Sequence, residues 1–155
     1  MISYIDRIIV ELSTDLVYVD WAVSYVEESY KGIPKDKAKQ VAYDIIKFLI
    51  QEDLVQAETY HPETDSHSIE VNKAKVLGII KHHFKTDEVD GSWFNYVLFS
   101  DEAEIHSICQ SIFQIAEWQQ YGLSHSKPNS LYTNQSPQEI ANFEIAKFKT
   151  YLLDT

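Results

Sequence analysis

Four glycines and four prolines in 155 residues leave this chain few places to turn. Typical usage is roughly 7% glycine and 5% proline. Glycine opens the left-handed backbone and proline breaks helices, so a chain poor in both spends its length in long elements joined by few turns. Its length fits one domain, and about 70% of the unfolded surface can be buried at this size. With 45% apolar and 24% charged residues the composition is that of an ordinary globular chain. We therefore predict an α+β fold: a helix-dominated single domain over residues 1–155, with a small antiparallel sheet and a winged-helix-like core segment.

Periodicity places the elements. Tyr4, Ile5, Ile8, Ile9 and Leu12 make a helical stripe, although Arg7-Ile8-Ile9-Val10 also reads as a strand. Ser13 or Thr14 is a cap for a second helix, with Asp15 in its first turn and Leu16, Val19, Val23, Val26 and Tyr30 on one face. Gly32 and Pro34 stop it. A third helix runs from about Pro34 to Glu52, with Ala38, Val41, Ala42, Ile45, Ile46 and Leu49 inward. Residues 54–60 read as a strand, 61–67 as a polar loop, and Ser68-Ile69-Glu70-Val71 as a segment pairing back. Asn72 caps a fourth helix with Val76, Ile79, Ile80 and Phe84 on its apolar face. Residues 93–99 are rich in strand formers. A long helix is expected from Ser100 to Gly122, with Ile105, Ile108, Cys109, Ile112 and Ala116 inward, then a surface loop over 123–135. Ser136-Pro137-Gln138-Glu139 has the form of a capping box with proline at the first helical position. It opens a last helix whose apolar positions are Ile140, Phe143, Ile145, Phe148 and Leu152.

Charge narrows the function classes. Thirteen basic residues against 24 acidic ones give a net charge of −11, and Arg7 is the lone arginine. That balance argues against a dedicated nucleic-acid binder, which needs cations facing phosphates. No apolar run reaches the roughly 18 residues of a membrane span, and no cationic-then-apolar leader opens the chain, so a cytoplasmic location is expected. One cysteine, Cys109, excludes an internal disulfide framework or a multi-cysteine zinc site.

The charges are also clustered. Residues 50–70 hold Glu52, Asp53, Glu58, Glu63, Asp65 and Glu70 with no base, and residues 86–126 hold seven acids with no base. The lysines fall on the helices between these blocks. A single-sign field attracts an oppositely charged partner and speeds encounter, whereas the plainer reading of any one block is a solvated face.

No motif assigns catalysis. His61 and His67 bracket Glu63 and Asp65, a set of N and O ligand types, but the spacing is that of a loop with no helical His-x-x-x-His behind it. His82 and His83 point about 100° apart on a helix and cannot chelate together. The Asp87-Glu88-Val89-Asp90-Gly91 run lacks the order of a calcium loop. Cys109 sits on an apolar stripe, where a thiol is packing. There is no phosphate-cradling glycine loop and no dinucleotide fingerprint. We assign no catalytic residue, metal or cofactor, and the oligomeric state is not set by the sequence.

Helix–helix–strand–loop–strand is the order of a winged-helix DNA reader, whose cations would be Lys35, Lys37, Lys39 and Lys47 with Lys73, Lys75, Lys81 and Lys85. Against it, the wing would carry Glu58, Glu63 and Asp65 toward phosphates.

The segment from Ala42 to Ala57, in which a helix passes through Glu52-Asp53 into Leu54-Val55-Gln56-Ala57, resembles a pattern of small bacterial immunity proteins. These are the inhibitors paired with contact-dependent growth inhibition toxins and other polymorphic toxins. Ile80-Lys81-His82-His83-Phe84 and Trp93-Phe94-Asn95-Tyr96-Val97-Leu98-Phe99 extend the resemblance, which covers residues 38–100. It implies a non-enzymatic cytoplasmic protein that binds a cognate basic toxin domain, with neither nucleic acid nor membrane as partner. An acidic surface suits such a role, because a nuclease built to hold a polyanion accepts a charge mimic. The expected contacts are Glu52, Asp53, Glu58, Glu63, Asp65, Asp87, Glu88 and Asp90, with Tyr60 and Trp93 as aromatic anchors beside them. The alternatives are a small metal-dependent hydrolase using His61 and His67 or a carboxylate pair, and a winged-helix regulator.

Overall fold

An uninterrupted run without glycine or proline from Lys35 to Gln51 forms a 17-residue helix, and other helices of the fold are arranged around it. The computed structural model describes residues 4–12, 17–61, 63–86, 96–99 and 130–153. In chain order the elements are α1 (Tyr4–Leu12), β1 (Val17–Tyr18), α2 (Val19–Ser29), β2 (Tyr30–Lys31), α3 (Lys35–Gln51), β3 (Gln56–His61) and β4 (Ser66–Glu70). They continue with α4 (Lys73–Thr86), β5 (Tyr96–Phe99), β6 (Ser130–Leu131) and α5 (Pro137–Leu153). The architecture is α+β and helix-dominated, with a small antiparallel sheet and a short parallel pair.

Helix α3 packs against α2, α4 and α5. Its expected inward residues are all buried, and Phe48 and Ile50 are buried with them. A helix apolar over so wide an arc is held on several sides. Phe148 of α5 is fully buried, with its ring edge-on to Phe48 at 6.2 Å between centroids. Ile5, Ile8 and Ile9 of α1, Val19, Val23 and Val26 of α2, and Val76, Ile80 and Phe84 of α4 join the same core.

The sheet order is β1-β5-β3-β4, antiparallel throughout. Glu58 lies opposite Ile69 on one side and Val97 on the other, and Val17 opposite Leu98. Among the described residues, strand β4 is an edge. The order α2–α3–β3–β4 is the expected winged-helix-like order, and β5 stands between β1 and the hairpin.

Several helix ends follow the predicted chemistry. Asn72 Oδ1 accepts from the Lys75 amide at 3.1 Å. At α5 the capping box is reciprocal: the Glu139 amide donates to Ser136 Oγ at 3.1 Å, and the Ser136 amide to Glu139 Oε2 at 3.2 Å. The C-terminus of α3 closes as a Schellman motif, with the Asp53 amide on the Ile50 carbonyl at 3.1 Å and the Leu54 amide on Leu49 at 2.9 Å. Asp53 takes the left-handed position at φ 57°, where glycine is usual. Asp65 (φ 48°) and Asn134 (φ 66°) do the same elsewhere, beside Gly32 at φ 86°. The glycine-poor chain turns on Asp and Asn, which tolerate that region because their short polar side chains bond locally.

Four expectations are corrected. Helix α2 begins at Val19 after Tyr18, not at a Ser13 or Thr14 cap, because Val17-Tyr18 pair with Leu98 and Val97 as a strand; Asp20, not Asp15, is its first-turn acid. The same helix stops at Ser29, before Gly32, since Tyr30-Lys31 pair in parallel with Ser130-Leu131. That pairing also puts a strand inside the expected 123–135 loop. Phe143, expected inward, is 51% exposed, while Ala141 and Glu144 of α5 are buried. Burial of Glu144 is answered by the Tyr30 hydroxyl, which donates to its Oε1. The predicted helix over 100–122, with Cys109, lies outside the described residues.

Candidate functional site

The β3–β4 hairpin continues directly from α3. The Schellman turn at Asp53 reverses the chain off the helix, and Leu54 and Val55 anchor it in the core. From Gln56 the strand runs outward to His61, and the chain turns at residues 63–65 before it returns along β4. The loop expected over 61–67 is therefore tighter. His61 pairs with Ser66 and His67 with Tyr60 in the ladder, so the two histidines belong to strands. His61 Nε2 lies 2.6 Å from Ser68 Oγ. Among the described residues no three His, Cys, Asp or Glu side chains are grouped to hold a metal ion.

The expected contact residues distribute along this hairpin. Glu52 and Asp53 sit exposed at its base, Glu58 half-buried in β3, and Glu63 and Asp65 exposed at the tip. A strand of this length separates base from tip by roughly 17–20 Å. Tyr60 is in β3 opposite His67. Asp87, Glu88, Asp90 and Trp93 lie outside the described residues.

The two ends differ electrostatically. At the base, Lys73 Nζ is 2.7 Å from Asp53 Oδ1, and Lys75 Nζ is 3.1 Å from Glu70 Oε2. The Asn72 amide donates to Glu70 Oε1 at 3.2 Å. That backbone bond, with Lys75 beside it, holds the Glu70 carboxyl below its ordinary range. The first turn of α4 thus neutralises acids that look base-free along the chain. Two of the expected contacts, Asp53 and Asp65, also have a backbone reason to be aspartate, because each occupies a left-handed turn position. Among the described residues, Glu52 and Glu63 carry neither of these roles, and Glu58 stands half-buried in β3 between them. Beside them the edge strand and its exit expose apolar surface, with Ile69 53% and Val71 85% exposed.

The lysines are sorted just as sharply. Lys73 and Lys75 serve the hairpin base, and Lys37 Nζ donates to the Tyr132 hydroxyl at 2.8 Å. Lys35 and Lys39 of α3 instead line a groove shared with Lys81 and Lys85 of α4. The sequence lists all of these lysines but does not say which meet. Their i, i+4 spacing in each helix is the signal, and only the antiparallel packing of α4 along α3 makes two rows face.

Compared with known proteins, the chain matches no family model, no curated protein and no solved structure. No helix among the described residues is long and apolar enough to cross a membrane.

Proposed function

We propose that this chain is an inhibitory binding protein: an immunity protein that neutralises a cognate cationic toxin domain, a nuclease, by covering its active site with the acidic hairpin. The observation that supports this reading is the edge hairpin with its two ends, residues 52–71, which combines Glu52, Glu58 and Glu63 with exposed Ile69 and Val71 and contains no Lys or Arg. Acids steer the encounter with a cationic cleft, and apolar residues among them supply burial once the partners touch. Among the described residues β4 is an edge of the sheet, a position at which a partner strand can add to it. The resemblance over residues 38–100 points the same way.

The test is capture at low salt from the producing cells, followed by purification of the captured protein. The expected result is one basic protein held at 1:1 that degrades RNA or DNA alone and not in the complex. The triple variant Glu52→Lys, Glu58→Lys and Glu63→Lys should lose inhibition, with a flatter salt dependence of whatever binding remains. Full inhibition by that variant would remove the hairpin from the interface.

A further inference from the structure

The groove between α3 and α4 has chemistry of its own. Its volume is about 620 Å³, within the range of small-molecule sites. In a protein of net charge −11 its lining holds four lysines against two aspartates. Helix α4 starts beside the end of α3, where Lys73 meets Asp53, and runs back along it. Lys81 therefore comes level with Tyr43, its Nζ 5.8 Å from the ring centroid. Lys85 lies further toward the first turn of α3, where Lys35 and Lys39 face it across the groove. At that end the N-cap residue is Pro34, which makes no side-chain cap bond, so the amides of the first turn add positive potential.

Between the lysine rows lie two flat rings and one acid. Phe84 is buried and Tyr43 half-buried, both lining the groove. Asp44 is half-buried beside them; desolvation pushes its carboxyl up, and Lys47 and Lys81 pull it partly back. A surface carboxylate set among lysines serves solubility without being buried; one sunk beside aromatic rings is placed to accept from a donor.

We propose that this groove is a binding site for a nucleoside phosphate. The phosphate sits among Lys35, Lys39, Lys81 and Lys85, the base lies against Tyr43 and Phe84, and Asp44 accepts from a sugar hydroxyl or base amino group. Each part of the ligand answers one feature: the cations take the anion, the rings take a planar π-face, and the acid takes a donor. A long polyanion fits less well. The groove is flanked by Asp36 and Asp44, and the hairpin that follows α3 is acidic, so a duplex lying along it would meet repulsion on both sides.

The test is isothermal titration of the full chain with adenosine 5′-monophosphate, uridine 5′-monophosphate, inorganic phosphate, adenosine and a short DNA duplex, with amide chemical shifts followed in parallel. Mononucleotide should bind at 1:1, shift Tyr43, Asp44 and Lys81, and bind at least about tenfold tighter than phosphate or adenosine alone. Lys81→Ala and Lys85→Ala, both exposed positions, should each weaken it about tenfold, the loss expected for one charge-assisted bond. Lys73→Ala, at the far end of α4, should leave it unchanged. No saturation by either mononucleotide in the millimolar range, phosphate as tight as nucleotide, or duplex outcompeting both would overturn the proposal. Each of these outcomes is independent of the hairpin and of any toxin.

Discussion

Six acids that are neighbours in sequence end up apart, and four lysines that are distant in sequence end up together. The acids of residues 50–70 lie on and around a strand pair, Glu58 and Glu70 within the strands and the others at the base and tip, and along a strand each residue advances roughly 3.3 Å. The hairpin therefore spreads them from Glu52 at its base to Glu63 at its tip, and two lysines of α4 neutralise the base. The lysines of the groove lie on helices, where an i, i+4 spacing stacks charges on one face. Two antiparallel helices then set two such rows across from each other. A charge block in sequence is thus a poor guide to a charged surface when it falls on strands, and a good one only when helical spacing and a partner helix cooperate.

The largest effect should come from breaking what both regions share. Phe148 supports α3 from α5, and α3 supplies one groove wall and leads into the hairpin. Phe148→Ala should cost about 3–5 kcal/mol, measured by urea unfolding, and should impair both binding activities together. Loss of one without the other would mean that the two regions do not depend on a common helix.

A smaller effect separates the helical body from the hairpin. The Tyr30 hydroxyl bonds the buried Glu144 carboxylate, so Tyr30→Phe should cost about 1–3 kcal/mol at neutral pH. Burial, and then the Glu144 charge, push the Tyr30 phenol far above its ordinary range, while burial and Glu11 push Tyr25 up to about 12. Both folded values lie above the unfolded value near 10, so this stability is complete below pH ~10. It is lost as the pH rises through the folded values, because the unfolded chain then releases protons that the folded one retains. Alkaline unfolding with coincident appearance of tyrosinate absorbance is the expected signature. The Tyr30→Phe variant should lose less of its remaining stability across the same pH range. Tyrosinate that forms fully before unfolding would contradict the burial of these phenols.

At the hairpin base, Asp53 has two roles that substitution can divide. Asp53→Gly and Asp53→Ala both remove the ion pair with Lys73, but alanine alone must bear the left-handed backbone. The alanine variant should be less stable than the glycine one by about 1 kcal/mol. Equal stability would return Asp53 to the list of residues explained by charge. The smallest effect belongs to the pair itself: Lys73→Ala should cost less than about 1 kcal/mol and nothing measurable in high salt, since the pair is exposed. A larger, salt-resistant loss would show that the neutralised base is more than a surface contact.

Much of the fold is legible in the sequence where one physical rule dominates. The face of α3, the Asn72 cap and the Ser136–Glu139 box are decided within a few residues, because periodicity and capping are local. The sequence misplaces what is decided by a distant partner. Val17-Tyr18 become a strand because Val97-Leu98 lie beside them, and Ser130-Leu131 because Tyr30-Lys31 do. Phe143 faces outward and Glu144 inward for a similar reason: the Tyr30 hydroxyl gives the acid a bond that hydropathy cannot register. Of the candidate contacts, Glu52, Glu58 and Glu63 stand at the base, in the strand and at the tip of the hairpin. Asp53 and Asp65 acquire a backbone role visible only from their φ angles.

By itself, then, the sequence determined that few turns would join long helices to a small sheet, because glycine and proline scarcity acts residue by residue. Only the tertiary structure decided which charges cancel and which converge. Electrostatic interactions fall off within about 8–10 Å in physiological salt, so what matters is distance in space, and the packing of α4 along α3 and against the hairpin base fixes that distance.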